Sequence, residues 1–345
     1  MSTSDILVPA EGLTAFSADF LRNMGCSEFV ANDVAAHLVD SDLVGVFSHG
    51  TVRLPQYLGQ QRAGLFDPTK EAVMTTAEGG GPLVDGNLGF GQPASRLATE
   101  AAIAEAKDKG TGVAAVVNVG HTGRMGAFAD MAAEAGCLGI VLGGGGHEEW
   151  RQVAPFGGAK GMLPTNPYAL SIPGGDRGVV GFDFATSAAA GGKVLAAKSA
   201  GRMLPEGLII DSAGAPSVDP DDYNSGGALL PAAGPKGFGM ALVAEMLGLA
   251  VYGEVATGMN WMIVCIDLGR YRGADSYRAA AEACLAEIRD SQPAAGFDSV
   301  EIPGERERAL KAARLGSGIP VPAATLDTLK NTAAEIGADP ALLAV

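Results

Sequence analysis

The chain has 345 residues, 47% hydrophobic and 18% charged, with 39 acidic against 24 basic side chains and a formal net charge of −15. That field repels nucleic acid and anionic membrane alike, and no Lys/Arg cluster offsets it. Met1-Ser2-Thr3-Ser4-Asp5 has no basic segment leading into an apolar run, and no stretch is apolar enough to span a bilayer, so a cytoplasmic protein is expected.

Cys26, Cys137, Cys265 and Cys284 stand singly, which predicts free thiols, Cys137 and Cys265 in the core. Phe16, Phe20 and Met24 recur every four residues, predicting a helix over 13–24 that Gly25 stops. Ser27 opens a second helix to about Gly45, with an apolar stripe through Val30, Val34 and Leu38. His37 falls on its other face with Asp33 and Asp40 and is expected on the surface.

Then comes Ser48-His49-Gly50-Thr51-Val52-Arg53, an imidazole beside a hydroxyl, with a guanidinium four residues on. Imidazole moves protons near neutral pH, and guanidinium forks a carboxylate. Thr51 is expected to cap a helix through Tyr57 and Leu58, with Pro55 in its first turn, leaving His49 and Gly50 at an anion-favouring helix start. From the residues alone, the turn serves equally as a helix cap with Arg53 in a surface ion pair.

A strand over 71–76, a glycine-rich turn at 85–92 and an alanine-rich helix over 93–109 follow. Val113–Val117 and Leu138–Leu142 read as buried strands around Gly120-His121-Thr122-Gly123-Arg124-Met125-Gly126 and a helix, a β-turn-α-β unit. It is not a Rossmann unit: the spacing is G-x-x-G-x-x-G, and the second strand runs into Gly143–Gly146 instead of an acidic residue. The many central glycines suit close approach to a ligand. His147 with Glu148 and Glu149 has metal-ligand residue types without metal-ligand spacing, so no metal is expected.

Strands are predicted over 168–172 and 179–187. The second ends in Asp183-Phe184-Ala185-Thr186-Ser187, which suits an imidazole partner, a sugar edge or a local turn. A helix carries Lys193 and Lys198. A helix expected from about Met240 is approached by Gly234-Pro235-Lys236-Gly237. A strand over 262–268, an amphipathic helix over 276–288, a helix to Leu315 and a closing helix after Pro320 complete the chain.

Taken in order, these motifs resemble the malate/L-lactate dehydrogenase type-2 family over about 13–322. They include Gly45-x-x-Ser48-His49-Gly50-x-x-Arg53-x-x-x-Tyr57, Val84-Asp85-Gly86-x-x-Gly89-x-Gly91-Gln92, Pro155-Phe156-Gly157-Gly158, Thr165-Asn166-Pro167, Pro235-Lys236-Gly237 and Ile302-Pro303-Gly304-Glu305. The resemblance implies an α/β fold: a central mixed, non-Rossmann sheet flanked by helices, with a helical lobe from residues 1–80 and 301–345 beside a cofactor-binding body over 81–300. It implies an NAD- or NADP-dependent oxidoreductase of a small 2-hydroxy or 2-oxo acid, working as a homodimer. Some members instead reduce a cyclic imino acid, and a nucleotide-binding protein without turnover is a further reading.

His49 resembles the proton donor of the imine-reducing branch, with Ser48 and Asp183 as relay partners and Arg53 on the substrate carboxylate. His121 corresponds to the base of the ureidoglycolate-oxidising branch. Thr165 resembles a substrate contact. His121, Thr122, Gly123, Arg124 and Met125 resemble the cofactor shell, as do Asp183, Ala185, Thr186, Lys236, Gly237, Gly304, Glu305, Arg306 and Arg308.

Overall fold

The structure, a computed structural model, describes residues 5–146, 148–255 and 257–343. The chain runs β1 (Asp5–Val8), α1 (Ala10–Asn23), α2 (Glu28–Leu43), α3 (Leu54–Arg62), β2 (Val73–Thr76), β3 (Pro82–Asp85) and α4 (Gly91–Lys109). It continues through β4 (Thr111–Val117), α5 (Gly126–Glu134), β5 (Cys137–Gly144), β6 (Tyr168–Ile172), β7 (Val180–Phe184), α6 (Gly191–Ser199), β8 (Ile209–Ile210), β9 (Pro216–Ser217), α7 (Pro220–Asn224) and β10 (Ala228–Leu229). Then come α8 (Pro235–Met246), β11 (Asn260–Asp267), α9 (Ala274–Arg289), α10 (Glu305–Ser317), β12 (Ile319–Pro322) and α11 (Ala323–Ile336).

The central sheet has seven strands in the order β2-β3-β4-β11-β5-β6-β7. Only β3 and β4 pair in parallel, and the other neighbours are antiparallel. The β4-turn-α5-β5 unit exists, but β11 inserts between its two strands, with Trp261 facing Val116 on one side and Gly143 on the other. A Rossmann sheet has no such antiparallel strand at its centre.

Helix α4 lies on this sheet through Ala94, Ala98, Ala102 and Ala106, one buried row at four-residue spacing. Small residues bring its backbone close: a Cβ at Gly112 of β4 would run into the Ala102 carbonyl. Gly110, at φ 96°, ends the helix in the left-handed region. A second core gathers Leu13, Phe16, Phe20 and Leu21 of α1 with Val30, Val34 and Leu38 of α2, then Ile319, Leu326 and Leu329 from the other end of the sequence. Burying each such large side chain contributes roughly 1.5–3 kcal/mol. Strands β1 and β12 pair antiparallel and tie the two ends together.

The tetraglycine has a packing role that its sequence did not reveal. Gly143 and Gly144 are the end of β5, and a Cβ at Gly144 would overlap the Ala244 carbonyl of α8. Gly248, in the single π-helical turn after α8, meets Gly144 the same way. Strand and helix touch backbone to backbone, so these glycines serve the protein's own packing. His147, just beyond, lies outside the described residues.

Candidate active site

Between α2 and α3 the chain makes two single 3-10 turns, Phe47–His49 and Thr51–Arg53. Thr51 does not cap α3 as expected: its N–H and hydroxyl both donate to the Asp42 carboxylate, at 3.0 and 2.7 Å. Asp42 occupies the space a Cβ on Gly50 would need. A buried carboxylate thus replaces the helix start as the anchor of the His49 loop. Burial pushes the Asp42 carboxyl up to about 6, against the pull of its Thr51 bonds and the Arg314 charge.

The second anchor is His37, which is 4% exposed and not at the surface as its neighbours suggested. The polar face of α2 meets other protein instead of water. Asp33 pairs with Arg96, and Asp40 with Arg124 at 2.9 Å and Lys311 at 2.6 Å. His37 stacks on Phe128 and accepts the Arg124 N–H at its Nε2, 2.9 Å away. Its ring fills the space beside Gly123, which sits at φ 81° without a Cβ to clash. Burial, reinforced by the Arg124 charge, pushes His37 down to about 3, so it is neutral.

These anchors bring the two candidate histidines together. The rings of His49 and His121 stack with centroids 5.5 Å apart and planes 26° from parallel. Ser48 Oγ lies 3.0 Å from His49 Nδ1, and Tyr57 Oη lies 2.8 Å from His121 Nδ1. Arg53 donates from Nε to the Ser48 carbonyl at 2.6 Å and from Nη1 to Gln56. Burial and the nearby Arg53 charge push His49 down to about 4, with Asp183 pulling it back, and push His121 well below the usual imidazole range. Both rings are neutral near pH 7.

The remaining predicted residues form a strip running away from the histidines. Asp183, exposed on β7, accepts the Gly126 N–H at 3.0 Å. It reaches His49 through its charge, and its hydrogen bond goes to the turn that carries His121. Arg124 commits its guanidinium to Asp40 and Asp130, and Thr122 and Met125 are buried beneath the turn. The Thr165 carbonyl accepts both the N–H and the hydroxyl of Thr186, each at 2.9 Å. Thr186 in turn accepts the Ala232 N–H, which brings in the loop before α8.

Lys236 is exposed in the first turn of α8, and Gly237 lies against the Thr186 carbonyl. Ala185 is half-buried between these groups. At the far end, Gly304, at φ 90°, starts α10 beside Gly181 without a side-chain cap. Arg308 reaches the Val179 carbonyl, Glu305 pairs with Arg289 at 2.9 Å, and Arg306 with Glu307 at 3.1 Å. A cavity of about 530 Å³ opens there, lined by Arg177, Arg289, Arg306 and Arg308 and also by Asp290, Glu301 and Glu305, and among the described residues Arg289 Nη2 is buried without a partner.

The two helix starts, of α8 and α10, are the anion-favouring features of this strip, since Arg177, Arg289 and Arg306 are paired with glutamates. Among the described residues no group of His, Cys, Asp or Glu is placed to hold a metal, and no helix is long and apolar enough to cross a membrane.

Three groups given no role by the sequence reading stand against the site: Tyr57 and Gln92, each the last residue of a family motif, and His37. Tyr57 stands four residues after Arg53, one helical turn away, and that spacing was the available signal. Nothing local marks His37.

The site has groups suited to a nicotinamide-dependent oxidoreductase: paired neutral imidazoles beside a guanidinium, and two helix starts farther along. The malate/L-lactate dehydrogenase family model matches residues 8–330, and the chain belongs to that family. It is similar to L-sulfolactate dehydrogenase of Methanocaldococcus jannaschii, at 33% identity over 92% of this chain and 94% of that one. The solved structure of sulfolactate dehydrogenase from that organism matches with a TM-score of 0.87 and 31% identity, over 97% of this chain and 98% of the other. NAD(+)-dependent ureidoglycolate dehydrogenase of Escherichia coli O157:H7 is 32% identical over 80% of this chain and 81% of its own. A Delta(1)-pyrroline-2-carboxylate/Delta(1)-piperideine-2-carboxylate reductase of Pseudomonas putida is 34% identical over 73% of each chain. The protein is an NAD(P)-dependent oxidoreductase.

Proposed function

We propose that this enzyme interconverts a small 2-hydroxy acid and the matching 2-oxo acid, of the kind the sulfolactate and ureidoglycolate dehydrogenases act on. The observation that carries the reading is the stacked pair His49 and His121 beside Arg53. The chemistry a nicotinamide supplies when bound is acceptance or return of a hydride at the carbon beside the carboxylate.

Arg53 holds the substrate carboxylate, which takes the Nη1 arm from Gln56 to bind bidentately. His49, neutral at rest, accepts the hydroxyl proton in oxidation and returns it in reduction. Ser48 steadies its Nδ1, and the Asp183 charge favours its protonated form. Asp183 also holds the His121 turn through Gly126. Cofactor binding falls to the strip from His121–Gly126 through Asp183–Thr186 and Lys236-Gly237 to Gly304–Arg308. Helices α1, α2, α3, α10 and α11 then form a helical lobe on the substrate side of the central body, whose sheet also takes in β2.

The chain acts as a cytoplasmic homodimer in this reading. Leu242, Val243, Met246, Leu249 and Val251 stay 43–63% exposed along α8 and the turn after it, an apolar surface that a second copy would cover. Light scattering of the wild type and of Met246→Glu reads this directly. A monomeric wild type overturns it.

Loss of nicotinamide absorbance on mixing NADH or NADPH with a panel of 2-oxo acids and cyclic imines tests the activity. Turnover of a 2-oxo acid is expected. Turnover of imines alone, or cofactor binding with no turnover, overturns the reading.

A further inference from the structure

Tyr57 and Gln92 take no part in the mechanism above, yet both are wholly enclosed beside it: Tyr57 is 1% exposed and Gln92 0%. Gln92 Nε2 donates to the Tyr57 oxygen at 3.0 Å, and the same oxygen lies 2.8 Å from His121 Nδ1. The edges of Phe66 and Phe90 hold the phenol ring, with centroids 6.4 and 5.2 Å from it. We propose that Tyr57, held by Gln92, is a positioning residue that fixes the proton of His121 on Nε2. His121 then serves as a hydrogen-bond donor to the substrate, leaving proton transfer to His49.

A phenol has one proton to give, and its oxygen already receives the Gln92 N–H. The remaining neighbour is His121 Nδ1. With Gln92 Nε2 turned to the phenol, Gln92 Oε1 faces away and is buried without a partner among the described residues, so the acceptor within reach of the phenol proton is His121 Nδ1. Nδ1 therefore accepts, and the ring proton of the neutral imidazole stands on Nε2. His121 cannot take up a second proton on Nδ1 while Tyr57 points its own there.

His49 has no such restraint. Its Nδ1 partner is the exposed Ser48 hydroxyl, which can turn to donate or to accept as the ring changes charge. In oxidation the hydroxyl proton passes to His49 and the hydride to the nicotinamide, the carbon–oxygen bond becoming double. His121 Nε2–H meanwhile stays in place on the substrate oxygen or carboxylate.

This inference rests on the proposed reading of the site, but its first test does not use activity. Nitrogen-15 spectra of the histidine-labelled full chain at neutral pH, assigned with His121→Gln, should show His121 protonated at Nε2. An Nδ1-protonated ring, as the reversed Gln92 amide would produce, overturns the proposal. In Tyr57→Phe the His121 signals should shift to a mixture of tautomers while those of His49 stay. An unchanged His121 also overturns it.

In the kinetic arm, Tyr57→Phe should lower kcat about 10- to 100-fold with nicotinamide binding unchanged. Gln92→Glu, whose carboxylate accepts the phenol proton instead of donating to the phenol oxygen, should lower kcat as well and move the His121 proton to Nδ1; wild-type kcat and an Nε2-protonated His121 in this variant would overturn the proposal. If no substrate of the panel turns over, the proposed function fails while the tautomer result stands, so the two failures are distinguishable.

Discussion

His49 and His121 come from positions 72 residues apart and lie face to face, ring centroids 5.5 Å apart, with Arg53 bearing on both. Two imidazolium rings at that distance would repel each other and the guanidinium, so an anionic substrate is what makes one charge tolerable. The resting site is uncharged on both rings.

The buried histidines make stability depend on pH. His49 and His37 titrate at about 4 and about 3 in the folded chain, and His121 is depressed as well, against 6.5 when unfolded. The unfolded chain therefore binds more protons, and the stabilisation present above pH 6.5 is lost as pH falls toward 4. Asp42 runs the other way: its raised value gives stability below about 3.8 that is lost as pH rises through about 6. Urea midpoints should fall between pH 7 and 4, less steeply in His37→Phe. A midpoint flat across that range is incompatible with neutral buried rings.

Arg53→Ala should act on substrate capture. Losing a charge-assisted hydrogen bond costs about 1.5–3 kcal/mol, roughly a 10- to 100-fold rise in KM for the acid, with the cofactor dissociation constant unmoved. His49→Ala should instead lower kcat by about 100- to 10,000-fold. Steady-state kinetics separate the two, and equal effects on both parameters in both variants would not fit these roles.

Gly50→Ala should be severe for a small change. The new methyl meets the Asp42 carboxylate that anchors Thr51, so either the loop or the anchor must move. Overpacking of this kind costs about 1–3 kcal/mol, and activity should fall further than stability because His49 is the next residue. Pairing it with Asp42→Ala, which vacates the space, should recover part of the kcat.

His37→Phe keeps the ring stacked on Phe128 but removes the acceptor for the Arg124 N–H. A buried donor left unpaired costs about 1–3 kcal/mol, read as a lower denaturation midpoint. The turn bearing His121 should loosen at the same time, lowering kcat. His37→Gln, which can accept that N–H, should lose less.

Gly144→Ala tests the close backbone contact between β5 and α8. With the Ala244 carbonyl in the path of the methyl, α8 must separate from β5, carrying Lys236 and Gly237 with it. The expected result is poor folding or weakened cofactor binding. A variant of wild-type stability and affinity would show that α8 is not seated as described.

Local pattern was enough for much of this chain. The four-residue spacing of Phe16 and Phe20, the Ser27 cap and the apolar run of β4 each follow from chemistry within a few neighbours, and each element formed near its expected place. The stretch from Ser48 to Arg53 carried the residue types of acid–base and carboxylate chemistry but fitted a helix cap equally well, and the motifs shared with the family tipped the balance. Only the tertiary structure decided the rest. Whether His37 meets water, what Thr51 bonds, why four glycines run together and which partner fixes the His121 ring all depend on segments far away in sequence. Burial and close approach are properties of two surfaces meeting, and a linear pattern carries only one of them.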